Sequence, residues 1–147
     1  MDKFLLTGPC KVEGKIDVSG SKNAALPILA ATLLFDKPVE LKNLPNVRDV
    51  QTMLALLKSL GSKIVISRNK KSVKIYNFKK MKTFASYNLV KTMRAGILVL
   101  GPLLSKHYKS IKSLPGGCSL GTRPINYHLN GLTKLGARHK IINGYVH

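Results

Sequence analysis

Tryptophan is absent from this chain of 147 residues, cysteine occurs twice, and Asp and Glu together occur six times. The carboxylates are Asp2, Glu13, Asp17, Asp36, Glu40 and Asp49, so residues 50–147 hold none. That gap excludes a carboxylate acid/base pair, or a carboxylate metal cage, from the last two thirds. Cys10 and Cys118 are far apart and have no CxxC spacing, which argues against a disulfide framework and against a zinc site. No apolar run approaches the roughly 20 residues of a membrane span. Met1-Asp2-Lys3 does not open a signal peptide, so a reducing cytoplasm fits best.

What is abundant is positive charge, a formal net +19 at pH 7. Weak, salt-sensitive attraction to any polyanion follows. Specific nucleic-acid reading does not, because the basic residues other than Arg48, Arg68, Arg94, Arg123 and Arg138 are lysines scattered along the chain. Groove and phosphate readers use clustered arginine forks with interleaved aromatics. A non-catalytic basic module that binds polyanions is the alternative function this composition leaves open. Length and a hydrophobic content of 44% suffice for one domain, or part of a larger one.

Residues 3–18 read as two short strands turning at Gly8-Pro9, with Val12, Ile16 and Val18 on one face. A helix follows, capped by Ser21 or Asn23, with Pro27 tolerable only in its first turn. Ala24 to Phe35 is apolar nearly all round, which predicts a buried helix with Lys22 at its mouth. Pro38 to Leu44 predicts a strand. Arg48 to Leu60 predicts a second helix, with Val50, Met53, Leu54 and Leu57 at helical spacing and Gly61 as its C-terminal cap. Lys63 to Ser67 and Ser72 to Tyr76 predict a hairpin.

The pattern then begins again. Ile28 to Leu34 is answered by Ile97 to Leu104, Lys42-Asn43-Leu44-Pro45 by Lys112-Ser113-Leu114-Pro115, and Leu57 to Ser62 by Leu132 to Ala137. Each unit reads helix, strand, helix, strand, strand. The offset is 70 residues from Pro45 to Pro115 and 75 from Gly61 to Gly136, so the second unit carries five extra residues between those points. They fall in the loop that holds Gly116, Gly117 and Cys118, as expected of a functional loop on a rigid scaffold.

Cys118 is the leading candidate for chemistry. Glycines beside it admit close approach of a ligand, and Arg123 and the helix opening at Pro124 favour a thiolate. Such a thiol either protonates carbon as a general acid or adds to an electrophile. Cys10, in a turn, is read as incidental. Lys22, Arg94 and Arg123 are anion-binding candidates at helix starts or strand edges, where backbone N–H groups add to the charge. Asn23 reads locally as a cap. His107, His128, His139 and His147 have neither ligand spacing nor an acidic partner in sequence, so no metal is indicated.

Three stretches carry a family resemblance: Ser19 to Pro27, Leu89 to Ala95, and Leu114 to Pro124. In that order they resemble the UDP-N-acetylglucosamine 1-carboxyvinyltransferases, the enolpyruvyl transferases that open peptidoglycan synthesis and so serve cell-wall biogenesis, cell shape, cell division and the cell cycle. The family transfers enolpyruvate from phosphoenolpyruvate to the 3'-hydroxyl of UDP-N-acetylglucosamine, releases phosphate, and needs no cofactor or metal. The resemblance implies that Lys22 and Asn23 contact phosphoenolpyruvate, with Asn23 at the junction of the two substrates, and that Arg94 helps hold the nucleotide sugar or the anionic centre. It makes Arg123, Pro124, Ile125, Asn126 and Tyr127 the uridine diphosphate segment. Cys118 becomes the general acid at the methylene carbon and the residue alkylated by fosfomycin.

The implied fold is an α/β inside-out barrel, here incomplete, with two βαβαββ-type units over residues 21–147. Residues 1–20 would be strands of a second domain. The family's proteins are nearly three times as long, so the chain matches their N-terminal third and is expected to be almost inactive alone. Asn126 stands where the family usually has aspartate, and Tyr127 where leucine is common. The sister enzyme acting on shikimate 3-phosphate and the RNA-phosphate cyclases of related fold lack this cysteine loop.

Overall fold

Ser21 opens the first helix, α1 (Lys22–Ala31): extended itself, it accepts the Ala24 N–H on its hydroxyl oxygen at 3.4 Å. Of the two candidate caps, Ser21 is the one used. Pro27 stands beyond the first turn, where its nitrogen has no hydrogen to give the Asn23 carbonyl. The structure, a computed structural model, describes residues 3–85, 87–90, 93–114 and 125–147, with Asn88 and Arg94 described by backbone alone. A 3-10 turn, Thr32–Leu34, continues α1. Ala25, Leu26, Leu29, Ala30 and Leu33 are buried, but Ile28, Leu34 and Phe35 are about half exposed, so the expected all-round burial is corrected to one covered face.

The rest of the first unit follows the sequence pattern closely. β1 (Val39–Leu41) leads to α2 (Arg48–Leu60), whose Asp49 lies in the first turn and Lys58 in the last, each opposing the helix dipole there. Gly61 closes the helix at φ 111°, a left-handed conformation that disfavours a side chain. β2 (Lys63–Ile66) and β3 (Val73–Tyr76) form the hairpin, and the antiparallel sheet runs β1-β3-β2. Ile75 faces both Val39 and Ile64 across the ladder, and it is fully buried under the helices.

In the second unit, β4 (Phe84–Ala85) precedes α3 (Tyr87–Val90), a 3-10 segment (Arg94–Val99) and α4 (Leu100–His107). Then come β5 (Ile111–Ser113), α5 (Asn126–Lys134), β6 (Ile141–Ile142) and β7 (Tyr145–Val146). The sheet order is β4-β5-β7-β6. Its last three strands repeat β1-β3-β2 in connection and in antiparallel sense, which makes the sequence repeat a structural one. β4 is added parallel to β5 through the intervening helices.

At the 70-residue offset, β4 corresponds to residues 14–15, which lie in the N-terminal segment. That segment was expected to form two strands and does not: no strand occurs between residues 3 and 18. Phe4, Leu5, Leu6, Val12, Ile16 and Val18 are all largely exposed. A lone two-stranded hairpin is marginal without a third strand or a helix to cover it, and none of the described elements does so.

One cluster joins the two units: Leu29, Leu33, Met53, Leu57 and Ile75 from the first pack with Ala85, Val90, Val99 and Leu103 from the second. A buried polar knot ties its edge. The Ser62 hydroxyl donates to Asn77 Oδ1 at 2.7 Å, and Asn77 Nδ2 donates to the carbonyls of Thr32 at 2.6 Å and Phe35 at 3.3 Å. On the surface of the same seam, Asp36 pairs with Lys106 at 2.7 Å. The Lys106 hydrogen bond and charge hold the Asp36 carboxyl below its ordinary value.

Candidate functional site

Gly20 marks the closest approach between backbone segments at the mouth of α1. A Cβ there would lie 1.9 Å from the Asn43 carbonyl oxygen, so only glycine lets the chain pass. Asn43, at φ 55°, donates from Nδ2 to the Val18 carbonyl at 3.5 Å and pins the other side of the crossing. The result fixes where Ser21, Lys22 and Asn23 begin their helix. Lys22 Nζ then reaches Asp49 Oδ2 at 3.0 Å, with both side chains partly open to solvent.

Lys22 and Asn23 are the first residues of α1, and the N–H groups of a helix's first turn have no partner within it. A cationic head beside such donors is suited to an anion, and an arriving anion competes with Asp49 for Lys22. Sequence reasoning did not single out Asp49 as a partner. The available signal was its position as the last carboxylate of the chain, one residue inside a helix start.

The second half of the candidate site is known by its anchors. Cys118, Arg123 and Pro124 lie outside the described residues, in the stretch 115–124. Leu114 and Ile125, the residues bounding it, both belong to one apolar cluster with Ile97, Leu98, Leu100, Leu129 and Val146. The Leu114 N–H also donates to the Gly144 carbonyl at 2.8 Å. Ile125 is buried, while Asn126 and Tyr127 open α5 in exposed positions. Arg94 begins the 3-10 segment that packs against α1, the helix whose first residues are Lys22 and Asn23. Cys10 is a free, exposed thiol on the N-terminal segment.

Lys112, two residues before Leu114, has no exposed surface at all. Its only side-chain hydrogen bond among the described residues goes from Nζ to the Ser113 carbonyl at 3.3 Å, and its stem lies close to Gly96. Burial pushes its ammonium down from 10.5 to about 8. The sequence offered no sign of this, because lysine in a short strand normally faces water.

The family model that matches is EPSP synthase (3-phosphoshikimate 1-carboxyvinyltransferase), over residues 6–147. The chain belongs to that family. Among similar curated proteins, the UDP-N-acetylglucosamine 1-carboxyvinyltransferase of Pelagibacter ubique is 61% identical over 147 residues, covering 100% of this chain and 35% of that protein. The one from Acinetobacter baylyi is 51% identical with the same coverage, and one from Coxiella burnetii is 48% identical over 100% of this chain and 34% of its own length. The chain thus spans about a third of the length of the curated relatives it matches.

Among solved structures, the enolpyruvyl transferase NikO from Streptomyces tendae superposes with a TM-score of 0.75 at 16% identity, over 91% of this chain and 29% of NikO. EPSP synthase from Acinetobacter baumannii gives 0.66 at 16% identity, over 90% and 31%. The fold is therefore the inside-out α/β barrel of the enolpyruvyl transferases, of which this chain builds a part. No helix among the described residues is long and apolar enough to cross a membrane.

Proposed function

We propose that this chain forms one wall of a site that transfers enolpyruvate from phosphoenolpyruvate to the 3'-hydroxyl of UDP-N-acetylglucosamine. The observation that carries the reading is identity of 48–61% along its whole length with proteins named for that transfer. Identity to the solved EPSP synthase is only 16%, which favours the UDP-sugar branch over the shikimate one. The work belongs in the cytoplasm, at the opening of peptidoglycan synthesis, and hence in cell-wall biogenesis, cell shape and division.

In this reading, Lys22 and the free N–H groups of α1 hold the phosphate of phosphoenolpyruvate, with Asn23 at the junction of the two substrates. Arg94 and the segment Arg123, Pro124, Ile125, Asn126 and Tyr127 hold the nucleotide sugar. Cys118 gives its proton to the methylene carbon as the sugar oxygen bonds to the adjacent carbon, and the hydroxyl proton leaves to a base. In the elimination, the thiolate takes a proton back from the methyl group while the carbon–oxygen bond to phosphate breaks. Asn126 replaces a carboxylate acceptor with an amide, and Tyr127 is 82% exposed, so uracil would meet different partners here.

Residues 21–147 supply two repeat units of the first domain, and residues 1–20 belong with a second; the exposed apolar side chains of residues 3–18 support that division. Holding two reactants between walls contributes roughly 7–11 kcal/mol to such reactions. Asp49 at this wall is paired with Lys22, and residues 50–147 contain no further carboxylate to act as the base. The chain by itself is therefore expected to turn over very slowly. The test is phosphate release from both substrates together, alongside fosfomycin labelling of Cys118 read by mass spectrometry. Labelling with little turnover is the expected result. A folded sample in which Cys118 does not react would refute the assignment of the thiol, and turnover like that of the long relatives would refute the slow rate.

A further inference from the structure

A cavity of about 260 Å³ opens between α4, α5 and the start of β5. Leu104, Leu129 and Leu132 line it, and Lys109, Arg138 and His139 supply its polar edge. Every described lining residue lies between Leu100 and His147, a stretch with no Asp or Glu, so among the described residues no acidic side chain in the lining balances those basic groups. Ser110 also lines the cavity; it is only 5% exposed, and its hydroxyl has no hydrogen-bond partner among the described residues. Buried hydroxyls are nearly always paired, so an orphan in the lining of an apolar cavity is a polar group without its ligand. The His139 ring is held in place, with Nδ1 3.2 Å from Thr133 Oγ1.

We infer that this cavity binds a small amphiphilic carboxylate, its aliphatic chain against the leucines and its head group among Ser110, Lys109 and Arg138. The volume is below the roughly 300–1,000 Å³ of common ligand pockets, which selects a short chain and a compact head. A planar carboxylate matches the guanidinium fork, and its spare lone pairs accept the Ser110 hydroxyl. None of the described lining residues is among those assigned to the proposed transfer site. The inference does not depend on the transfer reading.

The test is calorimetric titration of the 147-residue chain with octanoate, octanol and octylammonium at physiological salt. Octanoate is expected to bind saturably, octanol about tenfold more weakly because the charge-assisted bonds are lost, and octylammonium not at all. Leu132→Phe, which fills the cavity, should abolish octanoate binding. Arg138 is exposed, so Arg138→Gln leaves the fold intact by circular dichroism; it should weaken octanoate about tenfold and leave octanol unchanged. Absence of saturable octanoate binding, equal affinity for octylammonium, or binding that survives Arg138→Gln at full strength would each overturn the proposal.

Discussion

Lys112 carries an unfavourable charge. Its folded-state pKa lies near 8 against an ordinary 10.5, and burial is the cause. Below pH 8 both folded and unfolded chains are protonated at this residue, and the folded state bears the full desolvation cost, about 3 kcal/mol for a shift of this size. Between pH 8 and 10.5 the unfolded chain binds the proton and the folded chain does not, so stability rises with pH through that window. Lys112→Met should raise the urea midpoint at pH 7 and remove this rise; a Met variant less stable than the parent would show that the Ser113 carbonyl compensates the ammonium. Gly20 is the opposite case, a position where nothing can be added. Gly20→Ala should cost about 1–3 kcal/mol by urea unfolding, because the obstacle is a backbone carbonyl and not a movable side chain. Of these single-residue features, only the place of Gly20 within the Ser19–Pro27 stretch was legible in the sequence; its close passage against Asn43 was not. The burial of Lys112 was not, because it depends on how a 3-10 segment folds over β5.

Elements were legible where a local rule sufficed. α2 has the bounds its apolar spacing and Gly61 predict, and the hairpin of β2 and β3 needs only alternation and a polar turn. The first helical stretch of the second unit was not legible as its actual pieces. Gly96 there passes within 2.9 Å of the Val90 side chain when a Cβ is imagined on it, and the chain takes a 3-10 path up to Leu100. That packing is tertiary and leaves no period in the sequence. Asn77 is similar: an amide after a strand reads as a turn residue, yet it joins the ends of α1, α2 and β3 through Thr32, Phe35 and Ser62. Asn77→Ala would leave the Ser62 hydroxyl and two carbonyls without it. A loss of about 2–4 kcal/mol is expected, read as a lower denaturant midpoint with unchanged slope. A loss near zero would mean that water replaces the amide and the three elements are held by apolar contact alone.

At the scale of the whole molecule, the repeat and the family motifs carried most of the reading, because the order β1-β3-β2 recurs as β5-β7-β6 and three separated motifs share one family. The N-terminal segment is where that reasoning fails: its alternating apolar residues signal a strand but not the strand's partner, and the described part of the chain provides none. A segment without ladder bonds or packing opens at almost no cost, whereas a turn inside a hairpin opens only with the sheet. The two can be compared with trypsin, since Lys11 and Lys15 lie exposed in the segment and Lys70 and Lys71 lie exposed in the β2–β3 turn. That turn is tied down: Asn69 Oδ1 accepts the Lys71 N–H at 3.0 Å, and the Lys71 carbonyl accepts the Leu44 N–H at 2.8 Å. Brief digestion should therefore cut after Lys11 and Lys15 first and leave a persistent product beginning at Ile16, identified by intact mass. Its thermal midpoint should match that of the parent, because Phe4, Leu5, Leu6 and Val12 bury almost nothing. Cleavage at Lys70 or Lys71 as fast as at Lys15, or a large drop in midpoint on losing residues 1–15, would mean that the segment is packed in solution and that its apolar residues already have a partner.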